Sequence, residues 1–332
     1  MAAELPALEH HVPGDEKSLV VVPLAAGEGA AKVYTFGACC VSYVYAGVEQ
    51  LAARADTKWD GSKGLSAGIP HCFPQFGPPD GRTNWSGAQH GFGRSVTWRI
   101  IERTPSSVTM RLTLDEVGDM SEGWGFPFAV DHTVSLSADG SELSCATTVT
   151  NTGVEAFSFT AALHSYLACS DCDAVAVHGN FKGATYIDKV DEMNEKVEDR
   201  EVITLEGQFY DRMYRGVTGV LKLTDTSPEK PDLELRHSIG WQDTVVSSPF
   251  PRYGRVSTPA AARSTACCRR PSGHCTLSTR VCDNPPSFGV RCNSLTCLSS
   301  CDLFVRPGLI CRCGIRTGTM RWDTDHSSVW RR

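Results

Sequence analysis

The chain has 332 residues, 41% of them apolar and 21% charged, a globular composition with enough material for a large core. No apolar run approaches the roughly 18 residues that a spanning helix needs, and the opening residues, with Glu4 and Glu9, lack the basic and apolar regions of a secretory signal; a soluble, cytoplasmic protein with no membrane partner is expected. The net charge of −6 is unevenly spread, because residues 251–332 hold 13 Arg, 4 Asp and neither Lys nor Glu (+9), which leaves 19 basic and 34 acidic residues (−15) in residues 1–250; an acidic body disfavours nucleic acid.

In chain order the body reads as β. SLVVVPL (18–24) is a short apolar run, and SVTMRLTL (107–114) and HTVSLSA (132–138) alternate with period two. Asp139-Gly140 follows, a pair that supplies the left-handed positions of a type I′ hairpin turn. DAVAVHG (173–179), VLKLTDT (220–226) and DLELRHS (232–238) continue the pattern. There is no long amphipathic helix and no internal repeat. Many short strands separated by turn signals indicate an all-β sandwich or barrel.

From about residue 253 both periods fail. Three readings compete for this Arg-, Cys- and Ser-rich tail: a disordered basic segment, a metal-binding appendix, or the product of a frameshift, retained intron or faulty gene model. The cysteines from Cys292 to Cys313 are spaced C-x4-C-x3-C-x9-C-x-C, without a CxxC knuckle. The abrupt loss of Lys and Glu favours the third reading. The chain therefore divides into a body at 1–250 and an atypical tail at 251–332. Loss of late strands is expected to leave a sheet edge open.

Two stretches carry the chemistry. FSFTAALHSYL (157–167) sets His164 in an apolar or small-residue run, where a histidine is either a satisfied core residue or a buried proton donor. GIPHCFPQFGPPDGRTNWSGAQHGFGR (68–94) is too rich in Pro and Gly for a strand and reads as a long ordered loop, the kind of segment on which sites are built. It offers Gln89, His90 and Arg94. Arg grips an oxyanion with a planar fork, and Gln donates to and accepts from a sugar hydroxyl; a surface charge and a structural hydrogen-bonder are the plainer readings of Arg94 and His90.

GIPHCFPQFGP, QHGFGR, FTAALHSYL, ATYIDKV and FYDRMY, in that order, resemble the glucose-6-phosphate 1-epimerase family, the hexose-6-phosphate mutarotase branch of the aldose 1-epimerase-like proteins. The resemblance covers about residues 18 to 250. It implies a large antiparallel β-sandwich of the galactose mutarotase type, a monomer by expectation, with a hexose phosphate in a groove across one sheet and no metal or organic cofactor. It also implies exchange of α and β anomers through the open-chain aldehyde, with His164 as the acid, Gln89, Arg94 and Asp211 as substrate contacts and His90 as a further candidate. Imidazole suits the acid role because its pKa lies near neutrality. The plainer reading of Asp211 is a salt bridge with Arg212 or Arg215.

Two departures stand out. Ser66 occupies a position where many members carry a phosphate-binding Arg, which leaves a different phosphosugar or an unphosphorylated aldose open as substrate; Lys63 and Arg82 are the nearby cations in sequence. No glutamate occurs after Glu234, so the family's catalytic Glu has no counterpart in a matching context. A non-catalytic carbohydrate-binding protein is the alternative function, and a nucleic-acid binder acting through the basic tail is a third.

Overall fold

The computed structural model describes residues 5–205, 209–237 and 240–248, and the backbone of three tail strands, His274–Val281, Val290–Cys292 and Cys301–Pro307. Strands dominate; the α-helix among the described residues is one turn, Leu114–Val117, started by a Thr113 capping box with Glu116.

Two large sheets form the body. A nine-stranded sheet contains Ser107–Thr113, Phe128–Leu136 and Leu143–Asn151. The last two alternate buried and half-buried residues at every position, the signature of a strand with one face on a core. The second sheet runs, in spatial order, Asn194–Val197, Thr185–Asp188, Asp211–Arg215, Asp243–Ser247, His274–Val281, Ala161–Ala168 and His71–Cys72. One apolar cluster joins both sheets, with Val130 and Val134 from the first and Leu163, Leu167, Tyr214 and Val246 from the second. Phe73, Phe92, Trp124, Phe128 and Phe159 interlock within it at centroid distances of 5.2 to 6.4 Å. A smaller five-stranded sheet is built on Val20–Ala26, Gly29–Tyr34 and Cys39–Tyr45.

The expected body strands are present, with two corrections. Asp139-Gly140 does lie in a hairpin, but Leu136 pairs with Leu143 and the connection is six residues long. Gly140 alone is left-handed, at φ +74°, because the Asp139 carboxylate is held by Ser137 and Ser141 in an Asx-type turn. The second correction concerns the tail. His274–Val281 lies between Asp243–Ser247 and Ala161–Ala168, and Cys301–Pro307 between Leu233–His237 and Leu143–Asn151, so the sheets are not left open at those strands. Backbone ladders need no hydrophobic alternation, and Thr and Val in HCTLSTRV favour extended chain. The tail cysteines and the proposed metal appendix fall outside the described side chains.

Candidate active site

Period two places His164. On Ala161–Ala168, Leu163 and Leu167 join the core between the sheets, while Ala162, His164 and Tyr166 share the opposite face. His164 is therefore not part of the apolar core. Its face carries a separate apolar cluster, Cys72, Phe76, Ala162, Met213 and Val245, with Ile187 alongside, and that cluster is the floor of the candidate groove.

The 68–94 segment is the long loop expected, apart from the two-residue strand His71–Cys72. It is stitched along the His164 strand. The N–H groups of His164, Tyr166 and Thr160 donate to the carbonyls of Pro70, Gly68 and Pro74, at 2.9, 2.7 and 3.0 Å. This stitching brings His90 to His164: the rings meet edge to face with centroids 5.9 Å apart. Tyr166 stacks on the other side of His164 at 5.1 Å, and Phe76 tilts against His90 at 5.4 Å.

His90 is fixed twice by Gly77, donating its backbone N–H to the Gly77 carbonyl at 3.0 Å and accepting the Gly77 N–H on Nδ1 at 3.1 Å. Its backbone is left-handed, at φ +69°. With Nδ1 accepting, Nε2 carries the ring proton. The amide nitrogen of exposed Gln89 lies 3.3 Å from that nitrogen, so the amide must be turned end for end for its oxygen to accept there.

Arg94 reaches the groove from the 3-10 turn Gly93–Ser95. Its Nη2 donates to the carbonyls of Leu65 and Gly64, at 3.0 and 3.3 Å, and no carboxylate among the described residues pairs with it. Gly64 permits this approach, since a Cβ there would meet Arg94 Nε at 2.5 Å. The electrostatic effect is strong. Burial, then His90, Arg94 and Lys189, push the His164 pKa down to about 3. Burial, then Arg94 and Lys189, push His90 down to about 4. Both imidazoles are neutral at pH 7, and His164 Nδ1 is buried without a hydrogen-bond partner among the described residues.

Asp211 stands across the groove. Along the ladder Tyr166 pairs with position 276, position 276 with Ser247 and Ser247 with Asp211. Three strand spacings make this about 14 Å between backbones, wide enough for a pyranose between the side chains. The partner of Asp211 is neither Arg212 nor Arg215 but Lys189, whose Nζ lies 2.9 Å from Oδ1. Arg212 pairs with Asp188 and Glu198, and Arg215 with Glu195. Asp211 also borders a neighbouring cleft of about 230 Å³ lined by Asp188, Arg200, Tyr210 and Arg212.

Gln89, His90, Arg94 and His164 thus meet at one end of the groove, and Asp211 joins them through Lys189, which sits 5.4 Å over the Phe76 ring. Lys189, Tyr166 and Phe76 were not singled out in the sequence. Alternation from His164 reaches Tyr166, whereas the Lys189–Asp211 pair has no local signal. Arg82 is taken by Asp80. Among the described residues no three His, Cys, Asp or Glu side chains converge as a metal site, and no helix is long and apolar enough to cross a membrane.

The aldose 1-epimerase family model matches residues 21–285. The chain belongs to the aldose 1-epimerase family. It is 27% identical over 246 residues to a Cenchrus ciliaris protein named "Putative glucose-6-phosphate 1-epimerase", covering 71% of this chain and 72% of that one. Its fold is similar to that of a "putative mutarotase" from Salmonella typhimurium (TM-score 0.69, 20% identity, 91% of this chain and 96% of that chain). A galactose mutarotase-like protein from Clostridium acetobutylicum is also similar (TM-score 0.67, 12% identity, 90% and 97%). This epimerase-family chain has the galactose mutarotase-like β fold.

Proposed function

We propose that the groove exchanges the α and β anomers of a hexose 6-phosphate. The observation that carries this reading is Arg94, held by the carbonyls of Leu65 and Gly64 with no described carboxylate on it and close enough to His164 to lower its pKa. Such a cation beside a proton donor calls for an anionic ligand. The similarity to the Cenchrus ciliaris protein supports a phosphorylated sugar.

His164 donates a proton to the ring oxygen as the C1–O5 bond breaks, and a base removes the proton of the anomeric hydroxyl. The open-chain aldehyde rotates about C1–C2 and closes with the proton transfers reversed. Gln89, His90, Arg94 and Asp211 bind the sugar. A bound phosphate dianion offsets part of the field of Arg94 and Lys189 and raises the His164 pKa, while burial, the larger cause, still holds it below the ordinary histidine range.

The base is the open part of the site. The strand hydrogen-bonded to Ala161–Ala168, HCTLSTRV, carries no carboxylate, and no glutamate follows Glu234. This observation favours a second reading, a sugar-phosphate-binding protein without turnover. Saturation-transfer NMR on glucose 6-phosphate at anomeric equilibrium separates the two. Exchange above the spontaneous rate supports the isomerase; binding without exchange supports the second reading; neither one sinks both.

A further inference from the structure

Two ion pairs lie back to back across the strands Thr185–Asp188 and Asp211–Arg215. Asp188 and Arg212 are register partners and meet on the face that Tyr186 gives to the core, Nε to Oδ2 at 3.4 Å. Lys189 and Asp211, one position away on each chain segment, take the opposite face, with Nζ 2.9 Å from Oδ1. Period two accounts for the split. Lys189 shares its face with Ile187 and Asp211 shares its face with Met213, and both of those lie in the apolar floor of the groove.

Lys189 is fixed at both ends. Its backbone N–H donates to the Asp211 carbonyl at 3.0 Å. The turn that follows is pinned by the Val190 N–H on Asp188 Oδ1 at 3.1 Å, and Lys196 holds Oδ2 of the same carboxylate at 3.1 Å. At the other end Nζ stands 5.4 Å over the Phe76 ring, and Phe76 packs on His90. The loop that brings His90 to His164 therefore also places the Lys189 ammonium. The arginines near Asp211 in sequence are engaged elsewhere, Arg212 on Asp188 and Glu198 and Arg215 on Glu195. The Lys189–Asp211 side chains are 28% and 23% accessible, so this pair is better shielded from water than an ordinary surface pair.

We infer that Lys189 is a positioning residue: by holding Oδ1 it fixes the Asp211 carboxylate so that Oδ2 accepts hydroxyl protons of a pyranose. The inference rests on the sugar-binding reading of the groove. A carboxylate that turns freely loses rotamer freedom when a ligand binds, whereas one already held does not. The pair is neutral as a unit, unlike Arg94. Its effect is thus on the sugar ring, with or without a phosphate.

The test is calorimetric titration of the full chain with glucose and with glucose 6-phosphate, in the parent, Lys189→Met, Lys189→Arg, Asp211→Asn and the double variant Lys189→Met/Asp211→Asn. Lys189→Met keeps an unbranched chain over Phe76 and removes the charge; it weakens both sugars alike, by about tenfold. The double variant binds within twofold of Asp211→Asn alone, because Lys189 acts through Asp211. Lys189→Arg, which keeps a donor for Oδ1, recovers most of the loss. Four outcomes overturn the inference: no loss in Lys189→Met, a loss confined to glucose 6-phosphate, losses that multiply in the double variant, or a loss that Lys189→Arg does not recover. If the parent binds both sugars and the cycle behaves as stated but anomers do not exchange, the isomerase reading fails and the role of Lys189 stands. If the parent binds and exchanges but the losses multiply, only the role of Lys189 fails. If the parent binds neither sugar, both fail.

Discussion

His90 and His164 meet edge to face at 5.9 Å, although they lie 74 positions apart in the chain. The loop carbonyls of Gly68 and Pro70 that accept from the His164 strand bring them together. The contact couples two neutral imidazoles, each of which penalises a proton on the other, so their titration is a property of the pair.

Removing the donor tests its role. His164→Ala is expected to lower anomer exchange of glucose 6-phosphate by about 10²–10⁴-fold while circular dichroism and the melting midpoint stay close to those of the parent, since the ring faces the groove and not the core. Normal exchange by the folded variant would remove His164 from the mechanism.

Lys189 adds to the field of Arg94 at both rings. In Lys189→Ala one cation is lost, so the NMR titrations of His90 and His164 move to higher pH, with His90 starting from about 4. Burial is the larger cause in both cases, so the values remain below the ordinary histidine range. An unchanged or downward shift contradicts the placement of Lys189.

On the proposed reading Asp211 accepts two hydroxyl protons from the sugar, and Asp211→Asn removes that charge. Affinity for glucose and for glucose 6-phosphate is expected to fall together, by about tenfold, corresponding to about 1.4 kcal/mol. A loss confined to the phosphorylated sugar would place Asp211 in the anion subsite instead.

Acid stability follows from a second histidine pair, inside the core. His132 Nδ1 and His71 Nε2 both meet Thr147 Oγ1, at 2.8 and 3.2 Å, with rings 5.2 Å apart. Burial holds His132 down to about 4 and His71 well below its usual value. Both stay neutral when folded and take up protons when unfolded. Stability is therefore full above pH 6.5 and falls as the pH drops, with His132 alone contributing roughly 3 kcal/mol of loss by pH 4. Urea melts at pH 7.5 and 5 should show a shallower decline for His132→Gln than for the parent; parallel declines would count against the burial account.

Gly64→Ala is predicted to act at a distance of one side chain. The added Cβ displaces Arg94 Nε and with it the guanidinium held by Leu65 and Gly64. Glucose 6-phosphate binding weakens several-fold while the melting midpoint changes little, which titration and a thermal scan together detect.

Local alternation marked strands of the body and the face each residue takes there, but not the tail strands, whose sequence shows neither period. Alternation in SVTMRLTL and HTVSLSA marked two strands of the large sheet, and the same parity puts His164 opposite Leu163 and Leu167. The motif order carried the family. Neighbours across the sheet were set by the packing of the whole molecule. His90 beside His164, Lys189 on Asp211, and a tail strand between Asp243–Ser247 and Ala161–Ala168 each join segments far apart in sequence. The physical reason is that local pattern fixes the pleat and its buried face, whereas a strand's neighbours are chosen by how the whole sheet closes over the shared core.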